Sequence, residues 1–428
     1  RAGGRFAAAH DQTDRPRKTQ QLRALSPARS LLRHPPFVLY FSSRAGSEFA
    51  YTISAVFIGW QIYALTNSAF ALGLAGLVQF VPSAVLVFAA GHAADRFDRK
   101  RVVQVCQAVE GCTAAALAVA SYTHHLAVWE IFVAVLLLGV AGAYESPSSA
   151  ALLPGVTTDA ELPRGAALSS GAFQAASIGG PALGGLAYAI APWVPCAIMA
   201  VVWVLASLLN AWIRVDRAPA PQERPSFREA FAGVAFVRND PAILGTISLD
   251  LFAVLFGGTT ALLPIYARDI LHTGPWVLGA LRAAPGVGAL TMTVVLARYT
   301  IRRHVGVRML GAVAIFGAAV IVFAFSRSIA LSLVALALMG AADTVSVVIR
   351  ASLVQLSTPD EMRGRVGAIN YLFINASNQL GEFESGTAAA LLGPVAAAGL
   401  GGLACIVIAV AWLGLFPALR SVDRLGEK

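Results

Sequence analysis

Long apolar runs, several of them about twenty residues, alternate along this chain with short breaks that carry turn residues or charge. A helix of about twenty residues crosses the ~30 Å hydrocarbon core of a bilayer. In lipid every backbone N–H and C=O has to be paired, so spans are helices or closed barrels. Barrel strands alternate polar and apolar positions, and these runs do not. The pattern predicts helical spans at 37–64, 70–91, 102–122, 126–149, 164–190, 193–213, 241–267, 275–297, 306–326, 328–352, 366–392 and 394–417. The breaks are turn signals or charge runs: Thr66–Asn67–Ser68, Asp95 to Arg101, Thr123–His124–His125, Ala191–Pro192 and His272 to Pro275.

Composition agrees with this pattern. The chain is 57% hydrophobic and 13% charged, whereas soluble domains carry about a quarter charged residues. Charge placement adds an orientation. Arginine and lysine crowd alternate connections: the tail before His34, Arg96 to Arg101, Arg214 to Arg238, Arg298 to Arg308, Arg363 and Arg365, and the final residues. Only Arg268 and Arg327 occupy the connections between them. The positive-inside rule then places both termini in the cytoplasm, which requires an even number of spans. Twelve satisfies it. The net charge of +9 follows from this topology and is no nucleic-acid footprint, being spread over every inner connection. A bacterial inner-membrane, multi-pass protein is expected.

The longest polar break divides the chain. Residues 1–34 read as a basic cytoplasmic tail without the apolar core of a signal peptide. Residues 35–214 form a first six-helix bundle. Residues 215–239 form a cytoplasmic linker whose second part, from Ser226 to Arg238, reads as an amphipathic interfacial helix. Residues 240–417 form the second bundle, and 418–428 a cytoplasmic tail. The bundles repeat one another. Gly139 matches Gly340 at an offset of 340 − 139 = 201, as do Thr157 and Thr358, Asp159 and Asp360, and Gly185 and Gly386. Gly76 to Pro82 faces Gly279 to Pro285 at offset 203. Parallel repeats of this kind mark transporters whose halves rock around a midplane site.

Two motifs carry chemistry. After the second span, Gly91 precedes Asp95 by four residues, followed by Arg96, Arg99 and Lys100. The glycine permits close helix approach. The arginines and Lys100 can pair with the carboxylate and with helix ends, and Glu145 near the same end is expected to join them. Such a cluster latches two bundles in one state and releases in the other. In the second half, Arg298 stands where the acid should be, so the latch is one-sided. The fifth span contains Gly180, Pro181, Gly184 and Gly185, preceded by Ala176. Proline removes a donor and glycines bare the backbone, so this helix bends and packs closely, as generic small-residue packing also would.

The Gly91–Asp95 loop resembles the signature loop of the major facilitator superfamily. The fifth span resembles the antiporter motif of its drug–proton exchangers, with Ala176 at a leading position that is glycine there. With Trp60 to Thr66, Leu72 to Leu77 and Asn375 to Ser385, residues 35–417 resemble the exporter branch that includes enterobactin exporters and macrolide efflux proteins. The resemblance implies an all-α fold of two pseudo-symmetric six-helix bundles, a monomer, and proton-coupled efflux of an amphipathic molecule such as a siderophore or drug. A lysophospholipid flippase and an uptake symporter are the alternative readings.

Ionisable groups at bilayer depth are expensive and therefore mark candidate sites. Arg44 and Glu48 share one face of the first span. They are either a self-neutralising structural pair or a carboxylate that takes up a proton when the pair opens. Asp250, with no local partner, lies at the equivalent depth of the seventh span, and Asp343 midway along the tenth. Glu48, Asp250 and Asp343 are the proton-coupling candidates. Arg282, whose repeat counterpart is Gln79, either pairs with Glu382 or Glu384 or meets an anionic cargo. Asn375, Asn378 and Gln379 form a polar stripe that lines the cavity or bonds across helices. Arg44, Gln79, Arg282, Asn375 and Asn378 are the cavity candidates. Cys106, Cys112, Cys196 and Cys405 read as small buried hydrophobes. The adjacent His124 and His125 read as a solvated turn. No metal-ligand spacing, phosphate loop or nucleophile triad is visible, so neither a cofactor nor an enzyme activity is expected. The partners expected are a small molecule, protons and membrane lipids.

Overall fold

The computed structural model describes residues 31–214, 234–299 and 303–423. Among them are twelve long helices: α1 (Pro35–Thr66), α2 (Ala69–Arg96), α3 (Arg99–Tyr122), α4 (Val128–Val156), α5 (Leu162–Ile190), α6 (Val194–Trp212), α7 (Pro241–Gly257), α8 (Pro275–Arg298), α9 (Val305–Phe325), α10 (Ile329–Ser357), α11 (Asp360–Leu392) and α12 (Pro394–Leu415). The twelve spans expected from the sequence are these twelve helices. Most of the tail over 1–34 and the linker over 215–233 lie outside the described residues, as does the tail beyond Asp423; residues 234–239 are helical.

The helices begin where local chemistry starts them. Proline occupies the first turn of α1, α5, α6, α7, α8 and α12, where no N–H is needed. Ser68 caps α2, Asp98 caps α3 and Asp240 caps α7 by accepting backbone N–H groups. Asn67 ends α1 in the left-handed conformation that asparagine tolerates. Four helices outrun the predicted spans: α2 continues to Arg96, α4 passes through Pro147 and Pro154 to Val156, α10 continues to Ser357, and α11 begins at Asp360. α7 is interrupted after Gly257 and resumes as a 3-10 turn, one α-turn and a π-turn over Tyr266–Ile270.

Among the described residues, ten helices are long and apolar enough to cross a membrane. The other two, α5 and α11, are rich in glycine and serine or carry polar side chains such as Glu382 and Glu384. Both lie in the seam between the bundles.

Each bundle has the same internal wiring. α1 packs on α5 and α6, α2 on α4, and α3 on α4 and α6. Likewise α7 packs on α11 and α12, α8 on α10, and α9 on α10 and α12. The repeat matched in sequence is therefore a repeat in space. A Cβ on Gly139 would stand 2.9 Å from the Gln79 carbonyl oxygen. One on Gly340 would run into the Pro285 carbonyl, so the paired glycines make the same crossing in each half. In lipid, burial supplies little drive for helices to associate, and close backbone approach at small residues does this work.

The halves meet along two crossings, α2 with α11 and α5 with α8. Gly73 faces Gly386, and Gly185 faces Gly279, where a Cβ would lie 3.0 Å from the opposing Cα. These contacts lie toward the end that carries the charge-poor connections. At that end Tyr63 of α1 hydrogen-bonds Asp269, and Arg268 donates to the Tyr63 carbonyl at 3.2 Å while stacking 5.5 Å over its ring. Gln174 Nε2 donates across the seam to the Gly286 carbonyl at 3.1 Å, near mid-helix. Toward the basic end, α4 and α10 make no extensive packing with the opposite half. The halves are closed at the charge-poor end and parted toward the basic one.

Candidate functional site

The membrane-embedded polar groups fall into three clusters. The first lies within the N-terminal bundle. Arg44 Nη2 is 3.9 Å from Glu48, and Nη1 donates to Ser149 Oγ at 3.2 Å and Tyr40 OH at 3.4 Å. Glu145 accepts from Gln107 Nε2 at 2.8 Å and Ser47 Oγ at 3.2 Å. Behind them, Asn210 donates to Gln107 Oε1 at 2.7 Å, and Trp203 Nε1 donates to Ser47 at 3.1 Å. Glu110 of α3 is buried in the same bundle, and its Oε2 has no hydrogen-bond partner among the described residues. The bonds of Glu145 correct the expectation that Glu145 joins the gating loop. The helix turns its side chain into the bundle, where α3 and α1 supply donors.

The gating loop acts on helix ends instead. Lys100 Nζ donates to the carbonyl of Ile213 just past α6 at 2.8 Å, and Arg99 to that of Ala151 at 3.0 Å. Asp98 pairs with Arg101 at 3.6 Å and caps α3. Arg96 is exposed, and the side chain of Asp95 lies outside the described residues. Gly91 was expected at a close helix approach. Here, among the described residues, nothing stands within 4 Å of the position its Cβ would take.

The second cluster is in the C-terminal bundle. Asp250, without a partner on its own helix, forms an ion pair with Arg350 of α10, both side chains 5% exposed. An isolated buried carboxylate would cost several kcal/mol, and Arg350 removes that cost. Asp343 lines a small cavity beside Asp250 and Ser346. Among the described residues no hydrogen bond or ion pair is seen to Asp343.

The third cluster straddles the seam. Arg282 of α8 sits against Gly59 of α1, where a Cβ would lie 3.2 Å from Nη2. Its buried Nε has no hydrogen-bond partner. Glu382 of α11 and Tyr51 of α1 are within its electrostatic reach, and Gln79 Nε2 donates to Tyr51 OH at 2.9 Å. Glu382 in turn lies against Gly76 of α2, 2.9 Å from where a Cβ would stand. Of the polar stripe on α11, Asn378 is exposed and bonds the Ile374 carbonyl of its own helix at 2.9 Å. Asn375 is half-buried, and Gln379 Oε1 is buried without a partner.

The glycine-rich turn of α5 serves both bundles. Gly180 and Gly184 bear on Thr52 and Ile53 of α1, while Gly185 bears on the Pro275 carbonyl and on Gly279 of α8. Pro181 leaves a carbonyl without its helical donor nearby, and Thr52 Oγ1 donates to the Ala176 carbonyl at 3.1 Å.

Sequence reasoning missed Glu110, Arg350, Tyr63 and Asp269. Glu110 and Arg350 offered a usable signal, being charges inside or at the edge of an apolar run. Among the described residues no group of histidine, cysteine or acidic side chains is placed to hold a metal ion.

Comparison with known proteins bears on this geometry. A family model described as Major Facilitator Superfamily matches residues 17–382. The enterobactin exporter EntS of Shigella dysenteriae is 25% identical over 398 residues, covering 91% of this chain and 94% of its own. The multidrug efflux pump Tap of Mycobacterium tuberculosis is 27% identical over 419 residues, covering 91% and 95%. Macrolide efflux protein A of Streptococcus pyogenes is 24% identical over 246 residues, 56% of this chain; the match spans only 60% of that relative's length. Among solved structures, a bacterial homologue of the human lysosomal transporter Spinster, inward-facing and unoccupied, superposes with a TM-score of 0.69. It is 11% identical and covers 90% of this chain and 95% of that one. The nucleoside transporter NupG superposes with a TM-score of 0.65 at 15% identity, covering 88% and 99%.

Proposed function

We propose that this chain, which belongs to the major facilitator superfamily, is a proton-coupled exporter of amphipathic organic molecules. The carrying observation is the seam: two six-helix bundles closed at one end, parted at the other, with ionisable side chains at the depth where they part. Two bodies held by glycine crossings toward their charge-poor end can rock, and rocking exposes Arg282, Gln79 and the α11 stripe to each side in turn. The arginine-rich end is taken as cytoplasmic, as the basic connections require. The described state is then open to the cytoplasm, ready to receive cargo from inside the cell.

Direction rests on the relatives, which are an enterobactin exporter, a multidrug efflux pump and a macrolide efflux protein. Drive comes from protons entering from outside onto Glu48, Asp250 or Asp343. Arg44 and Arg350 each hold one of these carboxyls, so protonation releases the arginine to another acceptor. Arg44 already has one in Ser149. Arg282, with a free Nε, favours a cargo that carries an anionic or acceptor-rich group.

The test is substrate-induced proton release from reconstituted protein, with siderophores, macrolides, cationic dyes and lysolipids added in turn. Release with one class, abolished in Glu48→Gln or Asp343→Asn while exchange of that class across the membrane persists, is the expected result. Accumulation on the cytoplasmic side under a proton gradient would make it an uptake symporter. Binding by every class without proton release would remove proton coupling.

A further inference from the structure

We propose that Asp343, Ser346 and Asp250 form a binding site for one monovalent metal cation, sodium by size, inside the C-terminal bundle.

The three side chains line one small cavity between α7 and α10. Asp343 and Ser346 stand three residues apart on α10 and share a face of that helix. On α7, Ala253 and Val254 follow Asp250 by three and four residues and line the cavity with it. Ser346 is 3% exposed, and its Oγ has no hydrogen-bond partner among the described residues. From α9, Ala312, Val313 and Phe316 complete the wall and bring no charge. Carboxyl and hydroxyl oxygens gathered in an apolar wall, without donors to satisfy them, are expensive unless a cation takes their lone pairs.

Charge selects the kind of cation. Asp250 is matched by Arg350. Among the described residues no ion pair matches Asp343, so the site carries one negative charge to spare. A monovalent ion neutralises it, whereas a divalent ion leaves a buried surplus. Two carboxyls and a hydroxyl also lack the imidazole or thiolate that transition metals favour. The cavity has room for a single water-sized occupant, which suits sodium better than the larger potassium. Water fits the same space but leaves the charge of Asp343 uncompensated.

The repeat shows why the site belongs to one half. Glu145 stands at the place of Ser346 (346 − 145 = 201), and Ser47 at that of Leu249 (249 − 47 = 202). In the first half the longer Glu145 finds its donors in Ser47 and Gln107. In the second half serine shortens the side chain and leucine removes a donor. The acid moves to Asp343, where the first half has Gly142 (343 − 142 = 201). Asp343 is half-buried while Asp250 and Ser346 are buried, so an ion enters past Asp343. Once bound, it ties α10 to α7 ahead of the break after Gly257.

The site does not depend on the transport reading. That reading keeps Asp343 among its proton candidates, and either occupant neutralises the same carboxylate. The full chain, purified in detergent, is heated in sodium, potassium or choline chloride at one ionic strength. Sodium is expected to raise the unfolding midpoint saturably, and potassium and choline are not. Ser346→Ala removes one ligand and should weaken the apparent sodium affinity about tenfold. Asp343→Asn should abolish the response, and Glu130→Gln, at the start of α4, should keep it. Hydrogen exchange gives the location: sodium slows exchange in α7 and α10 and leaves α1 and α4 unchanged. A wild type that responds to no cation, or equally to all three, overturns the proposal and leaves the cavity to water. So does a sodium response of full size in both Ser346→Ala and Asp343→Asn. If Asp343→Asn does not fold, an unaltered sodium affinity in Ser346→Ala overturns it alone. No cargo enters these measurements, so the exporter reading fails separately, by an absence of gradient-driven efflux in the wild type.

Discussion

The N-terminal bundle holds three membrane-embedded carboxyls with one arginine, and the C-terminal bundle holds an aspartate–arginine pair with a second aspartate beside it. The two arrangements occupy matching places. Glu48 aligns with Asp250 (250 − 48 = 202), Glu145 with Ser346 and Ser149 with Arg350 (350 − 149 = 201). In both halves a cation bridges the first and fourth helices of the repeat. In the first half it grows from α1 and reaches Ser149 on α4. In the second it grows from α10 and reaches Asp250 on α7. Duplication kept the bridge and exchanged the side from which the charge comes. What differs is closure. The second half's pair is sealed, with both side chains 5% exposed, while Arg44 and Glu48 are each 26% exposed and sit 3.9 Å apart. A sealed pair holds structure, and a loose one is free to change partners.

That contrast is open to attack, beginning with its strongest side. Arg350→Met leaves Asp250 buried and unpaired, a loss of about 3–5 kcal/mol. It should appear as a large drop in the thermal unfolding midpoint in detergent, and the added change Asp250→Asn should recover much of it. If the single change is silent, the second half is no more sealed than the first. Next, Asn210→Leu removes the donor behind Gln107 and Ser43, at a cost of about 1–3 kcal/mol. Its effect should be confined to the N-terminal bundle, as read by hydrogen exchange in α3 and α6. Smaller still, Arg44→Gln should cost about 0–1 kcal/mol, because its pair is loose and wet. It should nonetheless alter the pH profile of transport, whereas equal stability losses at Arg44 and Arg350 would erase the distinction drawn between the halves.

Much of the fold was legible because membrane physics writes it in one dimension. The twelve spans and the Gly139–Gly340 repeat follow from apolar run length and small-residue placement, and the structure has both. Partnerships between helices were not legible. Asp250 read as having no local partner, and its actual partner, Arg350, lies 100 residues away, near the expected end of its span. Glu145 read as a gating residue because its position along the chain is near the basic end. Its rotation about the helix axis, which turns it toward Gln107, depends on where α3 lies. The Tyr63–Asp269 contact gave no signal, although Arg268 did. It was one of two basic residues on the charge-poor side, and it is there because it binds Tyr63.

Gly73 on Gly386 and Gly185 on Gly279 carry a further consequence. At both glycine pairs backbone meets backbone, so at those points no side chain has to withdraw when one bundle turns against the other. Such a joint works as a plain bearing: smooth, nearly free of friction, and indifferent to the cargo being moved. The work of switching must then be spent at the rim of the molecule, where Tyr63, Asp269 and Arg268 fasten one side. A bearing also fails in one way. A Gly185→Val change should jam the rotation while leaving both bundles folded, which cysteine accessibility on the two faces would register as a protein arrested in one posture.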